Sequence, residues 1–487
     1  MTRIKPAPII AALLIPLMFS PASAGEQLYF VAPTQIPNVL REMTTAGYWI
    51  GRIADPDAVI MDAAAIQTFN RHIQETLRST KDLRQFPESY DGPALKSALL
   101  ARIEHIKNQN YYAADGRAVA QEFFERMKQR MALEEIGESV AAERGFIVRY
   151  ADQRFFPTDE GLYAVADDID FDELQNSALD AAAPVVVLHR SDDGQWLYAV
   201  NELSEGWVEA RNVALCGRDD FDTYLSAPLR TVAASAKADV YLDEALTRFH
   251  DHLHMGVSLP AAESGRADVL AALLPVRGDS GDMKIKTVYL KKEQASAGYL
   301  PYTPRNVLEQ AFKLLNAPYG WGGMYGEQDC SSFLRAVFTT VGIKLPRNSI
   351  DQARVGQRLA AFDSIGKYKK RMLLENSFPM QQRRYDERSE EFSCEGESVE
   401  KKAAALKEAA PGSVILPMKG HIMLYVGTVN GRPYAIHAVW GYREPAPEGD
   451  RVRVINRVAV SDLYLGEGSK KGSLIERMNA ILSLTNP

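Results

Sequence analysis

Cysteine is scarce in this chain: Cys216, Cys330 and Cys394 are the only three in 487 residues. A small secreted scaffold held by disulfides needs many more, so packing must hold this fold. The odd count leaves at least one thiol free unless it pairs with another chain. An excess of positive charge is also missing. Lys and Arg number 56 against 63 Asp and Glu, for a net charge of −7. Without a basic field to hold a phosphate backbone, nucleic acid is excluded as an expected partner. After the first two dozen residues, no apolar run reaches the roughly 20 residues that cross a bilayer. Main-chain disorder is excluded as well, because 46% hydrophobic and 24% charged residues are ordinary for packed protein. At roughly 150 residues per domain the length implies about three domains, with room for more than one core.

What is present begins with a leader-like segment. Arg3 and Lys5 precede an apolar stretch at 9–19, and Ala22-Ser23-Ala24 follows as a small-residue cleavage site. This is the layout of a secretory signal peptide over 1–24. No Cys follows the cleavage point to carry a lipid. Removing Arg3 and Lys5 takes the net charge from −7 to −9. The expectation is an exported protein with no stable membrane insertion after processing.

Residues 25–145 read as mostly helical. Apolar residues recur at helical spacing in 65–77, 93–107 and 119–135, with Phe69, Ile73 and Leu77 four apart on one face. From 146 to 222 short apolar runs alternate with turn residues, and Asp192-Asp193-Gly194 sits where a hairpin turn belongs. That density of short strands predicts a small β-barrel. A second stretch at 223–300 has the same character. From 301 onward the pattern is α+β. The spacing predicts amphipathic helices over PRNVLEQAFKLLN and CSSFLRAVFTTVG, then strands over HIMLYVGTV, PYAIHAVW and RVRVINRVAV. A charged segment at about 365–408 reads as a solvated insertion, helical in its simplest form.

The chemistry-bearing stretch is YGWGGMYGEQDCSSF, residues 319–333. Its glycines free the loop to turn tightly, and Asp329 suits the N-cap of the following helix. Cys330 then falls in the first turn, where unpaired N–H groups and the helix dipole favour a thiolate with a depressed pKa. A base is needed, and His421 and His437 lie on the two strands flanking Asn430-Gly431. A two-residue Asn-Gly loop would place the two histidines on opposite faces. A three-residue loop with a bulge would pair Thr428 with Arg432, set Met423 opposite His437, and make His421 its same-face diagonal neighbour. The expectation is therefore the bulged loop, with His421 as base and His437 as the group that orients it.

These residues resemble the NlpC-type cell-wall cysteine peptidases, which have a papain-like core. The resemblance rests on YGWGG, DCSSF, LPRNSIDQA, GHIMLYVG and IHAVWG in order. Upstream, RYADQRFFPT, GWVEA and GYLPYTPRNVLEQAFKLL are similar to the branch with an N-terminal stabilising domain and two bacterial SH3-like barrels. The resemblance implies a multi-domain α+β fold: helical domain 25–145, barrels 146–222 and 223–300, and a papain-like catalytic domain 301–487. It implies cleavage of peptidoglycan stem peptides or muropeptides at the γ-D-glutamyl–diamino acid bond, in a bacterial periplasmic or secreted protein without a cofactor. Carried over by motif, Cys330 is the nucleophile, His421 the base and His437 the third polar residue. Tyr319 resembles the oxyanion tyrosine, and Asp329 with Ser331 the pair that binds a free L-Ala amine. Trp321 would line the groove, and the first barrel would narrow it, with Trp196, Tyr198 and Arg154 as candidates. Two departures stand out: Ser332 occupies a position where many members have Gly, and the 91-residue gap from Cys330 to His421 is long.

Rival readings are a cell-wall-binding protein that uses the barrels and a thiol acyltransferase on the same fold. His250, His252 and His254 alternate along HDHLH, which would put all three on one strand face. No accompanying ligand motif has metal spacing, so a packed or solvated segment is the expectation and no metal is assigned. A Cys216–Cys394 disulfide and two separate thiols remain equal alternatives.

Overall fold

The computed structural model describes residues 29–486 except 34, 167 and 363–397. The expected leader, most of the charged segment and Cys394 lie outside the described residues. Among the described residues no helix is long and apolar enough to cross a membrane. The fold is multi-domain α+β, with three seven-stranded sheets and helices distributed around them.

The C-terminal sheet runs in the order Tyr29–Val31, Arg451–Asp462, Arg432–Glu444, His421–Val429, Val414–Met418, Ala480–Ser483, Gln357–Ala361. Only three of these strands were anticipated from the sequence. The others are three to five residues long, too short to display an alternation. The helix Cys330–Thr339 lies against this sheet and buries Phe333, Leu334, Val337 and Phe338 completely. Each such side chain contributes about 1.5–3 kcal/mol relative to exposure. The helix Pro304–Lys313 packs beside it, started by the Thr303 hydroxyl, which accepts from the Asn306 N–H.

The N-terminal helices do not share one core. Tyr29–Val31 pairs in parallel with Val452, Arg453 and Val454 of the C-terminal sheet. Trp49, Phe69 and Ile73 pack in the same core as Phe333 and Ile436. The helices Gly92–Lys107 and Gln121–Arg130 instead pack with the barrel residues Phe146, Trp196 and Trp207. Helical periodicity reports which face is apolar, but not which neighbour covers it.

The first barrel sheet spans Glu143 to Cys216, and the predicted Asp192–Gly194 hairpin joins Pro184–Arg190 to Trp196–Asn201. The second sheet, Arg230 to Ala297, is also seven-stranded. Its strand Phe249–His254 carries the HDHLH run, with His252 on Asp239 at 3.0 Å and His254 on Asp180 of the first barrel at 2.8 Å. Among the described residues no group of three or more His, Cys, Asp or Glu is arranged to hold a metal ion. Cys216 is a free, half-buried thiol.

Candidate active site

The loop before Cys330 is shaped by glycines in the left-handed region. Gly322 has φ +62° and Gly323 has φ +91°. A Cβ on Gly322 would lie 2.7 Å from Gln175 Cγ, and one on Gly323 would lie 2.7 Å from the Ala178 Cβ. Both contacts are with the first-barrel strand Gln175–Leu179, so these glycines allow the barrel to seat against the loop. The Tyr150 hydroxyl, also from the first barrel, donates to the Gly323 carbonyl.

Asp329 caps the helix as expected. Its Oδ1 accepts from the Ser332 N–H at 2.8 Å, and the Ser332 hydroxyl accepts from the Asp329 N–H at 2.8 Å. Ser332 thus completes a capping box, which accounts for a hydroxyl at that position. Asp329 Oδ1 also accepts from the Ser331 hydroxyl at 2.9 Å. The remaining oxygen is held by Arg347, whose guanidinium donates to Asp329 Oδ2 at 2.9 Å, to the Ser331 hydroxyl at 3.1 Å and to Ser177 of the first barrel at 2.7 Å. Arg347 had no role assigned from sequence, although it sits in LPRNSIDQA. Gln352 of the same segment donates to the Ser331 carbonyl at 3.0 Å. Asp329 and Ser331 are both buried and engaged in this cluster. An amine aimed at them would have to compete with a guanidinium already in place. These contacts give Asp329 and Ser331 a positioning role at the Cys330 turn, and the expected amine-binding role belongs with the proposed function.

Cys330 is buried, and the Ile422 N–H donates toward its sulfur. This brings the sulfur to the start of the strand that carries His421. The histidine hairpin departs from expectation in its turn. Val429 pairs with Arg432, so Asn430-Gly431 is a two-residue loop with positive φ at both residues. The compensating bulge lies inside the strand, between Tyr425 and Gly427. Leu424 then pairs with Ile436, which restores the register that sets Met423 opposite His437. The two histidines share a face through a bulge in a different place. Gly427 has φ +140°, and a Cβ there would sit 3.3 Å from the Trp49 ring.

His421 Nε2 lies 2.6 Å from His437 Nδ1, and His437 Nε2 lies 2.9 Å from the Ser461 hydroxyl. Ser461 is a third member of this chain that sequence reading missed. It is on the neighbouring strand, paired with Ala435, and no motif spacing marks it. With Nε2 occupied, Nδ1 is the nitrogen of His421 left to face the thiol. Burial, then the positive charge of Arg477, pushes the His421 imidazole down to about 3. Burial, then the Asp329 carboxylate, pushes the Cys330 thiol up to about 12. Both shifts run toward the neutral forms, opposite to the depressed thiol expected from the helix N-terminus alone. Hydrogen bonds from the Ile422 and Ser331 N–H groups act the other way on the thiol and do not offset burial.

Aromatic rings gather around Tyr319, which neighbours Cys330. Phe171, from a first-barrel loop, lies 6.4 Å from Tyr319, 5.2 Å from Trp321 and 5.1 Å from Trp440 by ring centroids. Trp321 Nε1 donates to the Asp172 carbonyl at 3.1 Å, and Trp440 Nε1 donates to Asp170 at 2.7 Å. The first-barrel residue in this aromatic cluster is Phe171. Trp196 and Tyr198 are interior residues of the barrel. Arg154 is buried and acts through that loop, with its guanidinium on Asp172 at 2.7 Å and on the Thr158 and Glu160 carbonyls. Burial, with Cys330 and Asp329 nearby, holds the Tyr319 phenol above its ordinary value, so it stays a donor.

Residues 316–439 match the sequence model of the NlpC/P60 family. The chain carries an NlpC/P60 domain. Residues 162–209 match the SH3 domain of SH3b1 type, which falls within the first barrel sheet. Over 122 residues the chain is 27% identical to the γ-D-glutamyl-L-lysine dipeptidyl-peptidase of Bacillus subtilis (strain 168). That match covers 22% of this chain and spans 41% of the relative's length. A solved NlpC/P60 endopeptidase from Photobacterium damselae subsp. piscicida is 19% identical, with a TM-score of 0.69 over 95% of this chain and 99% of that one. This shows that the arrangement around the NlpC/P60 domain is a shared fold. A family protein from Bacillus cereus ATCC 10987 is 15% identical over 70% of this chain and 99% of its own, with a TM-score of 0.44.

Proposed function

We propose that this protein is an exported cysteine peptidase that hydrolyses peptidoglycan stem peptides at the γ-D-glutamyl–diamino acid bond. The observation that carries the reading is the hydrogen-bonded series His421, His437, Ser461 beside the buried Cys330 at the head of its helix. A structural cysteine has no need of an imidazole pair with a fixed tautomer. The NlpC/P60 match and the relative's name supply the substrate class.

In this mechanism the Cys330 sulfur attacks the γ-carbonyl carbon, and its proton passes to His421 Nδ1. The proton on His421 Nε2 is held by His437 Nδ1, and His437 Nε2–H donates to Ser461, so each ring keeps one tautomer. The carbonyl oxygen gains negative charge. In this reading the Cys330 N–H, a first-turn donor without an intrahelical partner, and the Tyr319 hydroxyl receive it. His421 then protonates the departing amine, the C–N bond breaks, and a thioester remains on Cys330. Water attacks the thioester, gives a proton to His421, and releases the γ-carboxylate as the thiol re-forms. Because burial favours the neutral forms of both groups, the ion pair is stabilised where its charge develops, as substrate binds.

Intact-mass spectrometry tests this directly. On incubation with L-Ala-γ-D-Glu-diaminopimelate, a transient L-Ala-γ-D-Glu adduct is expected on the tryptic peptide that contains Cys330. An adduct on another residue, or turnover with Cys330 blocked by alkylation, contradicts the assignment.

A further inference from the structure

A cavity of about 490 Å³ lies where the N-terminal segment, both barrels and the Cys330–Thr339 helix meet. Gln328, Ser332, Arg335, Ala336 and Thr339 form one wall, at the spacing of a single helical face. This face is opposite the one that packs on the sheet through Phe333, Leu334, Val337 and Phe338. The first barrel closes the cavity at Ser177, whose hydroxyl accepts from Arg347. The second barrel closes it at Gly256, where an added Cβ would stand 3.1 Å from the Ala336 carbonyl oxygen and 3.0 Å from the Thr339 Cβ. Neither Cys330 nor His421 lines it.

Every carboxylate on the wall is already engaged: Asp82 with Arg84, Asp180 with His254, Glu202 with Lys344 and Glu327 with Lys237. Lys81 is held by Glu205, Arg347 by Asp329, and Arg230 by the Ser258 hydroxyl and carbonyl. Arg335 differs from these. Among the described residues its side chain makes no hydrogen bond or ion pair, and Asp180 and Glu202 act on it only at longer range. Burial, then the like charge of Arg347, pushes the Arg335 guanidinium down to about 10. Gln328 is also unpartnered. It is 7% exposed, and its amide oxygen has no donor.

An unmatched cation and an unmatched amide on one cavity wall suit a ligand with a negative charge and hydrogen-bonding groups of its own. One free cation fits a monoanion better than a phosphate dianion, and the guanidinium fork matches the two oxygens of a carboxylate. An amide both donates and accepts, which suits an N–H beside that carboxylate. Small-molecule pockets run to about 300–1,000 Å³, so this cavity has room for the organic body that bears the carboxylate. We infer that the cavity is a second ligand site, which takes the C-terminal carboxylate of an N-acylamino acid or short peptide on Arg335 and Gln328. Gln328 directly precedes the Asp329 cap, so a ligand held there braces the turn that carries Cys330. The inference does not depend on the hydrolytic reading above.

The probe is N-acetylglycine, titrated into the native protein at constant ionic strength and followed by isothermal titration calorimetry. N-acetylglycinamide and inorganic phosphate are the comparisons. Saturable binding of N-acetylglycine is expected, at least about tenfold tighter than the amide, which has no charge for the guanidinium. Arg335→Gln should remove that preference, and Gln328→Met, which keeps the charge, should weaken N-acetylglycine several-fold. The three-probe comparison on the native protein decides the matter even where a variant fails to fold. No saturable binding of N-acetylglycine, equal binding of its amide, tighter binding of phosphate, or an unchanged affinity in folded Arg335→Gln overturns the inference. The readout is binding, so a failure of hydrolysis is a separate result.

Discussion

The Asp329–Arg347 pair is the most consequential contact that the motif alone did not disclose. Both side chains are about 10% exposed, and the pair closes at 2.9 Å. Removing one member strands the other charge in the interior, at about 3–5 kcal/mol. Arg347→Met therefore should destabilise the protein by roughly that amount at neutral pH, measured by urea unfolding. Arg347→Met combined with Asp329→Asn should recover much of the loss. Asn keeps the helix cap while removing the charge, and a neutral buried pair carries no desolvated ion. The pH dependence has a definite sign. In the native protein Asp329 is held below the ordinary carboxylate range by Arg347 and its hydrogen bonds, although burial opposes this. Its contribution is thus complete above about pH 4 and is lost as pH falls through the lowered value. Without Arg347 the burial effect dominates and the carboxyl rises above its unfolded value. The variant's deficit should then be greatest at neutral pH and shrink on acidification, at up to about 1.4 kcal/mol per pH unit. A deficit under about 1 kcal/mol, or a double variant no more stable than Arg347→Met, refutes the reasoning.

Further outcomes follow from single contacts. Ser461→Ala leaves the Nε2–H of fully buried His437 without a partner, which should cost about 1–3 kcal/mol and lower kcat with little change in KM, while Ser461→Thr restores both; thermal melts and steady-state kinetics check this. Gly427→Val should cost more than about 1–3 kcal/mol in chemical unfolding, because it combines φ +140° with a Cβ against Trp49, and an unchanged midpoint argues against the bulge. Phe171→Ala removes the barrel's ring from the groove and should raise KM for a short stem peptide more than it lowers kcat; an unchanged KM would show that the groove lies elsewhere.

Much of the candidate site was legible because it is local. The cap at Asp329 and the cysteine one residue later are read from neighbouring residues and lie where expected, whereas the Asn-Gly turn is a two-residue loop rather than the bulged three-residue one. Register was harder. Placing His421 and His437 on one face required an extra residue, and the sequence did not say whether the turn or the strand held it. Gly427 was the signal, since a glycine within an apolar strand marks a bulge. Ser461, Arg347 and Phe171 come from separate segments of the chain, so only the tertiary structure joins them to the site. The pKa expectation failed for a related reason. A helix N-terminus predicts a thiolate in isolation, whereas burial and the Asp329 carboxylate act together against it. The split of the N-terminal helices between two cores was likewise invisible, since amphipathic spacing does not name the opposing surface.

The central claim is that the Cys330 sulfur is the nucleophile in hydrolysis of a γ-D-glutamyl bond. Purified protein and its Cys330→Ala variant, matched for unfolding midpoint, are incubated with L-Ala-γ-D-Glu-meso-diaminopimelate, and free diaminopimelate is followed by mass spectrometry. Release by the native protein and none by the variant is the predicted result. Equal release by both, or none by either, contradicts it.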